Sequence, residues 1–224
     1  MPMLQTRKRE NSMANLTGER PSSSANEFNA THNKKEWLEV NAWTGRRLSL
    51  AVALSAGNTF LDIGADDQSI HELVKDYATR YVAVDTELSG NVTREDSHTS
   101  TIEDYFENNK ELFDTTFLLE IIEHVDPAFQ DVLLYETWER TRHRMILSTP
   151  DPDFMRFYPL TNFFVGRNNP HHTRELYEIQ VREMIARLCS DVFQVFSIKA
   201  NGSGTWDLGW RDPVLDYLIV VERI

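Results

Sequence analysis

The sequence predicts an α/β protein with a mostly parallel sheet, helices on both faces and an antiparallel pair of strands at its C-terminal end. Two stretches carry this reading. Residues 59–87, TFLDIGADDQSIHELVKDYATRYVAVDTE, run as apolar strand, glycine turn, amphipathic helix, second strand and acid. Near the end, residues 193–200 and 215–222 read as two strands with no helical pattern between them, which implies antiparallel pairing at a sheet edge. At 224 residues the chain is long enough for one such domain with a sizeable core plus a tail.

The first 32 residues are rich in Ser, Asn, Thr and charge and lack periodicity, which predicts a disordered N-terminal tail ahead of an ordered domain over 33–224. Within the tail, Arg7, Lys8 and Arg9 form a solvated basic cluster. From Trp37 to Leu54, apolar residues recur at helical spacing up to Gly57, a plausible C-cap, and the helix carries Arg46 and Arg47 near its surface. A solvated pair is the expectation for these arginines, with one of them reaching the carboxylate of a bound amino-acid cofactor as the alternative.

In the 59–87 stretch, Phe60, Leu61 and Ile63 predict a buried strand that ends at Gly64. Ile70, Leu73, Val74 and Tyr77 predict a helix over about 69–78, and 81–84 predict the second strand, ending at Asp85. This is the first βαβ unit of a nucleotide-binding sheet. Gly64 lets backbone approach a ligand closely, and an acid about twenty residues later is positioned to accept both ribose hydroxyls. Asp62, just before the turn, discriminates between ligands. A carboxylate there would repel a dinucleotide's pyrophosphate but suits S-adenosylmethionine, which carries a sulfonium and an ammonium. A sheet that binds no ligand is the plain alternative.

Further along, 91–101 read as loop or weak strand, with Asp96 and Glu95 as candidates for the adenine edge, and 102–108 as a short helix. Residues 115–119 predict a central strand, whose carboxyl end delivers Glu120, Glu123 and His124 to the ligand-binding edge of the sheet. A helix is expected from Pro127 to about Arg142, and a strand over 145–148 stopped by Thr149 and Pro150. Residues 151–170, with Phe154, Phe157, Tyr158, Phe163 and Phe164, read as a long irregular substrate-binding segment. A helix over 173–188 precedes the two final strands.

Charge and cysteine usage narrow the partners. Residues 1–40 hold six basic and five acidic side chains, whereas the remainder holds 17 and 30. A body of charge −13 repels polyphosphate, so nucleic acid is a disfavoured partner and a small-molecule substrate is expected. Cys189 is the single cysteine, no apolar run approaches the roughly 20 residues that span a bilayer, and the basic N-terminus lacks an apolar follow-on. A cytoplasmic protein without membrane contact is expected.

Taken in order, FLDIG, YVAVD, FDTTFLLEIIEHV and MILSTPDP resemble the successive motifs of class I S-adenosylmethionine-dependent methyltransferases. The resemblance runs from about residue 34 to the C-terminus. It implies a Rossmann-like, mostly parallel seven-stranded sheet with an antiparallel C-terminal edge pair. The Glu120-Ile-Ile-Glu-His124 segment, with the later His171-His172, is similar to a branch containing ubiquinone-pathway O-methyltransferases and small-RNA 2′-O-methyltransferases. By that resemblance S-adenosylmethionine would contact Asp62, Gly64, Ala65, Asp66, Asp85, Thr86, Asp96, Leu119 and Glu120. Glu120, Glu123 and His124 would ligate magnesium or manganese, with His171 or His172 as an added ligand, and His124, His171 or His172 would accept a hydroxyl proton. The implied activity is methyl transfer to a small-molecule hydroxyl, with metal-dependent 2′-O-methylation of an RNA terminus as the alternative. Two glycines of the family's D-x-G-x-G-x-G turn are replaced here by Asp66 and Gln68. That departure keeps open a third reading, a non-catalytic binding subunit.

Overall fold

The computed structural model describes residues 45, 47–66, 69–86, 88, 97–153, 172–201 and 214–224. All of them lie in the unit Thr44–Ile224, one of the two into which the chain divides. Residues 47–53 form helix α1. Then follow β1 (Thr59–Ile63), α2 (Ser69–Val74), β2 (Arg80–Asp85), β3 (Ser97–Thr99), α3 (Ile102–Asn108) and β4 (Phe113–Leu119). The chain continues with α4 (Gln130–Glu139), β5 (Thr141–Pro150), α5 (Glu178–Leu188), β6 (Val192–Asn201) and β7 (Val214–Arg223).

The seven strands form one sheet in the order β3-β2-β1-β4-β5-β7-β6. β1 pairs in parallel with β2 and with β4, β4 pairs in parallel with β5, and β7 runs antiparallel to both β5 and β6. The expected antiparallel edge pair is therefore present. The order in which strands are added reverses between the parallel neighbours β1 and β4, the switch point at which open α/β sheets bind ligands.

Both faces of the sheet are covered, which is why its central strands are apolar runs rather than alternating ones. Leu61, Ile63, Val82, Val84, Leu118 and Leu147 pack on one side with α3, α4 and α5 through Phe106, Leu134, Trp138 and Ile185. Phe60, Ala83, Phe117, Ile146 and Val220 pack on the other with α1 and α2 through Ala51, Ile70 and Val74.

Several boundaries differ from the sequence reading, each for a tertiary reason. α2 stops at Val74 and closes in turns, with Tyr77 and Ala78 N–H both donating to the Val74 carbonyl. α4 begins at Gln130 rather than Pro127 and ends at Glu139 rather than Arg142. Asp126 first holds a turn by accepting from Ala128 and Phe129 N–H, and Thr141 is taken into β5 opposite Phe113. Arg140 marks that exchange: it is 1% exposed and donates to the carbonyls of Phe106, Asn109 and Glu136. β5 is accordingly longer than 145–148, and Thr149 and Pro150 lie inside it, paired with Tyr217 and Asp216. α5 starts at Glu178, not Thr173, because the N–H groups of Thr173 and Arg174 go to the Glu123 carbonyl instead.

Candidate functional site

The carboxyl end of β1 is shaped by a residue no side chain could replace cheaply. Gly64 has φ +77°, and a Cβ there would stand 2.8 Å from two carbons of Ile121, in the turn after β4. The first turn and the E-x-x-E-H turn thus pack directly on each other. Gly64 and Ala65 N–H donate to the Val84 carbonyl, and Asp66 N–H donates to the Asp85 carboxylate at 3.1 Å. Asp66 takes φ +30°, a conformation that asparagine, aspartate and glycine adopt most readily, so aspartate can stand where the family has glycine. Gln68 lies outside the described residues.

Asp85 ends β2 with its other oxygen 3.4 Å from the Thr86 hydroxyl, and Thr86 is exposed beside it. Asp62 is placed differently from its neighbours: it is 4% exposed and accepts the Tyr81 hydroxyl at 2.6 Å, within the sheet. Leu119 ends β4 half-buried against the α1–α2 side of the core. Asp96 and His171 lie outside the described residues, as do Arg46 and the aromatic positions 154–164.

After β4 the backbone turns sharply. Glu120 sits at φ +55°, a sparsely populated region for a residue with a side chain, and such strain concentrates at functional sites. Its N–H donates to the Ser148 carbonyl, which ties the turn to β5. Its carboxylate accepts the Ser148 hydroxyl at 2.9 Å on one oxygen and meets the Arg47 guanidinium at 3.2 Å on the other. The same guanidinium nitrogen lies 3.1 Å from Asp216 on β7. Arg47 is therefore engaged by two carboxylates of the protein itself.

Glu123 is fully buried, with one oxygen accepting the Thr149 hydroxyl at 3.1 Å. Its other oxygen, Oε1, has no hydrogen-bond partner and lies 4.0 Å from His124 Nε2. His172 is brought alongside because Thr173 N–H and hydroxyl, with Arg174 N–H, all donate to the Glu123 carbonyl, and the Thr173 hydroxyl also reaches Val125 O. The two imidazoles meet edge to face, 4.7 Å between centroids. Glu123, His124 and His172 offer ligand atoms all within 4.8 Å of one another. Of the three ligands implied by resemblance, the geometry joins Glu123 and His124 with His172, while Glu120 faces Arg47.

Burial, reinforced by the Glu120 carboxylate, pushes Glu123 up to about 9. Burial and the same neighbour push Asp216 up to about 8, against the opposing pull of Arg47. A largely buried cluster with this excess of carboxylate over cation favours protonation or a bound positive charge. A carboxylate and two imidazoles are a donor set that suits a divalent ion, and the unpartnered buried oxygen of Glu123 would give such an ion a ligand.

Sequence reasoning missed Asp216, Thr149 and the Ser148 contact. Asp216 left a trace, since it is a lone acid in the otherwise apolar run VLDYLIVV, and only a partner across the fold makes that placement tolerable. Elsewhere, a cavity of about 290 Å³ opens between α4 and α5, lined in part by Asp131, Arg174 and Arg187. None of its lining residues is a predicted site residue, and Arg187 there is bound on both nitrogens to Asp131.

This architecture is the class I S-adenosylmethionine-dependent methyltransferase fold. The chain is similar to a SAM-dependent methyltransferase from Archaeoglobus fulgidus, with TM-score 0.62 and 16% identity over 85% of this chain and 95% of that one. It is similar to magnesium protoporphyrin IX methyltransferase from Synechocystis PCC 6803 with bound SAH (TM-score 0.58, 11% identity, 84% of each chain). It is similar also to the small RNA methyltransferase HEN1 (TM-score 0.57, 17% identity), covering 80% of this chain but 26% of that one. No protein-family model matches the chain, and no curated protein does. Among the described residues no helix is long and apolar enough to cross a membrane.

Proposed function

We propose that this chain is an S-adenosylmethionine-dependent methyltransferase that methylates a hydroxyl of a small molecule. The observation that carries the reading is the closed turn at the switch point: Gly64 at φ +77°, with Asp66 N–H bound to the Asp85 carboxylate. Bound there, S-adenosylmethionine supplies an electrophilic methyl group. Asp85 would accept the ribose hydroxyls, and residues 64–66 would carry the amino-acid end. His124 or His172 would take the acceptor's proton, a task for which a neutral imidazole suits near pH 7. A magnesium or manganese ion held by Glu123, His124 and His172 would lower the acceptor's pKa. A second reading, transfer to an RNA terminus, is favoured by that same cluster and by the likeness to HEN1, and opposed by the acidic body.

Calorimetric titration with S-adenosylmethionine tests the proposal. Saturable one-to-one binding is expected, weakened at least tenfold in Asp85→Ala, because hydrogen bonds to a charged group contribute about 1.5–3 kcal/mol. Absence of heat with a folded sample would move the chain to the non-catalytic reading.

A further inference from the structure

We propose that Arg47 is a resident counter-cation that withholds Glu120 from a divalent ion, so that the site takes its ion with one carboxylate and two imidazoles. This deepens the metal-assisted part of the proposed function and rests on it. The argument begins with the two glutamates of the E-x-x-E-H segment, which the sequence treats alike and the fold does not. Both oxygens of Glu120 are engaged, one by the Ser148 hydroxyl and the other by Arg47. Glu123 instead keeps one buried oxygen without a hydrogen-bond partner, beside two imidazoles.

Arg47 is well placed to make that division. Its side chain is 14% exposed and bridges Glu120, after β4, to Asp216, on β7, whose side chain is 4% exposed. A planar guanidinium serves two carboxylates at once and keeps its charge at any working pH. An ion competing for Glu120 would have to displace a permanent, partly desolvated cation and leave Asp216 without its partner, which is costly for a buried charge. Among the described residues no guanidinium or ammonium forms an ion pair with Glu123: its other oxygen takes the neutral Thr149 hydroxyl, and Arg47 acts on it only at longer range. Arg47 thereby sets how many carboxylates the site lends to an ion, and with that the affinity, since each added anionic ligand tightens the hold on a divalent cation.

Manganese binding to the full chain, read from the free-ion electron paramagnetic resonance signal, tests this in five proteins. For the natural chain a single ion is expected. Glu120→Gln, which can keep the hydrogen bonds, should bind within about threefold of it, and Glu123→Gln at least tenfold more weakly. Arg47→Met should bind at least tenfold more tightly, and adding Glu120→Gln to it should remove the gain. Equal losses in Glu120→Gln and Glu123→Gln would overturn the proposal, as would an Arg47→Met protein that is folded by circular dichroism yet binds no more tightly. If Arg47→Met does not fold, the comparison of the two glutamine variants alone decides. Titration of the same samples with S-adenosylmethionine reads the methyltransferase proposal separately: lost cofactor binding with this manganese pattern intact overturns that proposal and leaves this one standing.

Discussion

Substituting Gly64 by alanine tests whether the first turn and the E-x-x-E-H turn are mechanically joined. The new side chain meets two obstacles. At φ +77° an L-residue is disfavoured by about 1–2 kcal/mol. Its Cβ would also stand 2.8 Å from Ile121 Cδ1 and Cγ1 and 3.0 Å from Ile121 Cβ, so Ile121 must leave its rotamer, at about 0.5–1.5 kcal/mol. Together Gly64→Ala should destabilise by about 1.5–3.5 kcal/mol by these two principles. Only the second component depends on Ile121. In an Ile121→Ala background the Cδ1 and Cγ1 contacts are gone and only the 3.0 Å approach to Cβ stays, so the same substitution should cost about 0.5–1 kcal/mol less there, which is the coupling between the sites. Equilibrium urea unfolding, followed by the fluorescence of the five tryptophans, measures all four proteins. Additivity to within about 0.3 kcal/mol would refute the claim that the two turns touch at Gly64.

Other expectations concern the frame. Burial pushes the Asp114 carboxyl upward, but N–H donors from Asn58 and Thr59 overcome this and hold it below the usual range. A carboxyl lowered on folding stabilises above its unfolded value, near pH 4, and loses that contribution as pH falls through the folded value. The urea midpoint should thus drop more steeply between pH 5 and pH 2.5 in the natural chain than in Asp114→Asn; parallel profiles would exclude this role. Trp138 is fully buried, donates to the Ser190 carbonyl at 2.7 Å and carries the Arg223 guanidinium 4.2 Å from its ring. Trp138→Ala should lower the unfolding free energy by about 3–5 kcal/mol, and a loss below about 1 kcal/mol would show that the contact network around α4 is not structural.

The frame was readable because its signals are local and repeated. Apolar runs ending at Gly64, Asp85 and Glu120 mark three strands by the same device, and the helix over 102–108 coincides with α3 residue for residue. Legibility failed wherever a distant partner overrode a local pattern. Residues 141–142 read as the end of a helix but open β5 beside β4, and Thr173 looks like a helix start yet caps the Glu123 carbonyl. The candidate site follows the same division. Glu123 and His124 were found because they follow a strand end directly, whereas Asp216 and Thr149 enter from β7 and β5 through contacts of long sequence separation. Glu120 and Glu123 are identical residues three positions apart, and only the fold reveals that Arg47 answers one and a pair of imidazoles surrounds the other.

Crystallising the chain with S-adenosylhomocysteine tests the central claim most directly. The account predicts the ligand at the β1–β4 switch point, its ribose hydroxyls on the Asp85 carboxylate and its amino-acid end along residues 64–66. A ligand bound elsewhere, or crystals that exclude it while the turn keeps the geometry described, would contradict that account.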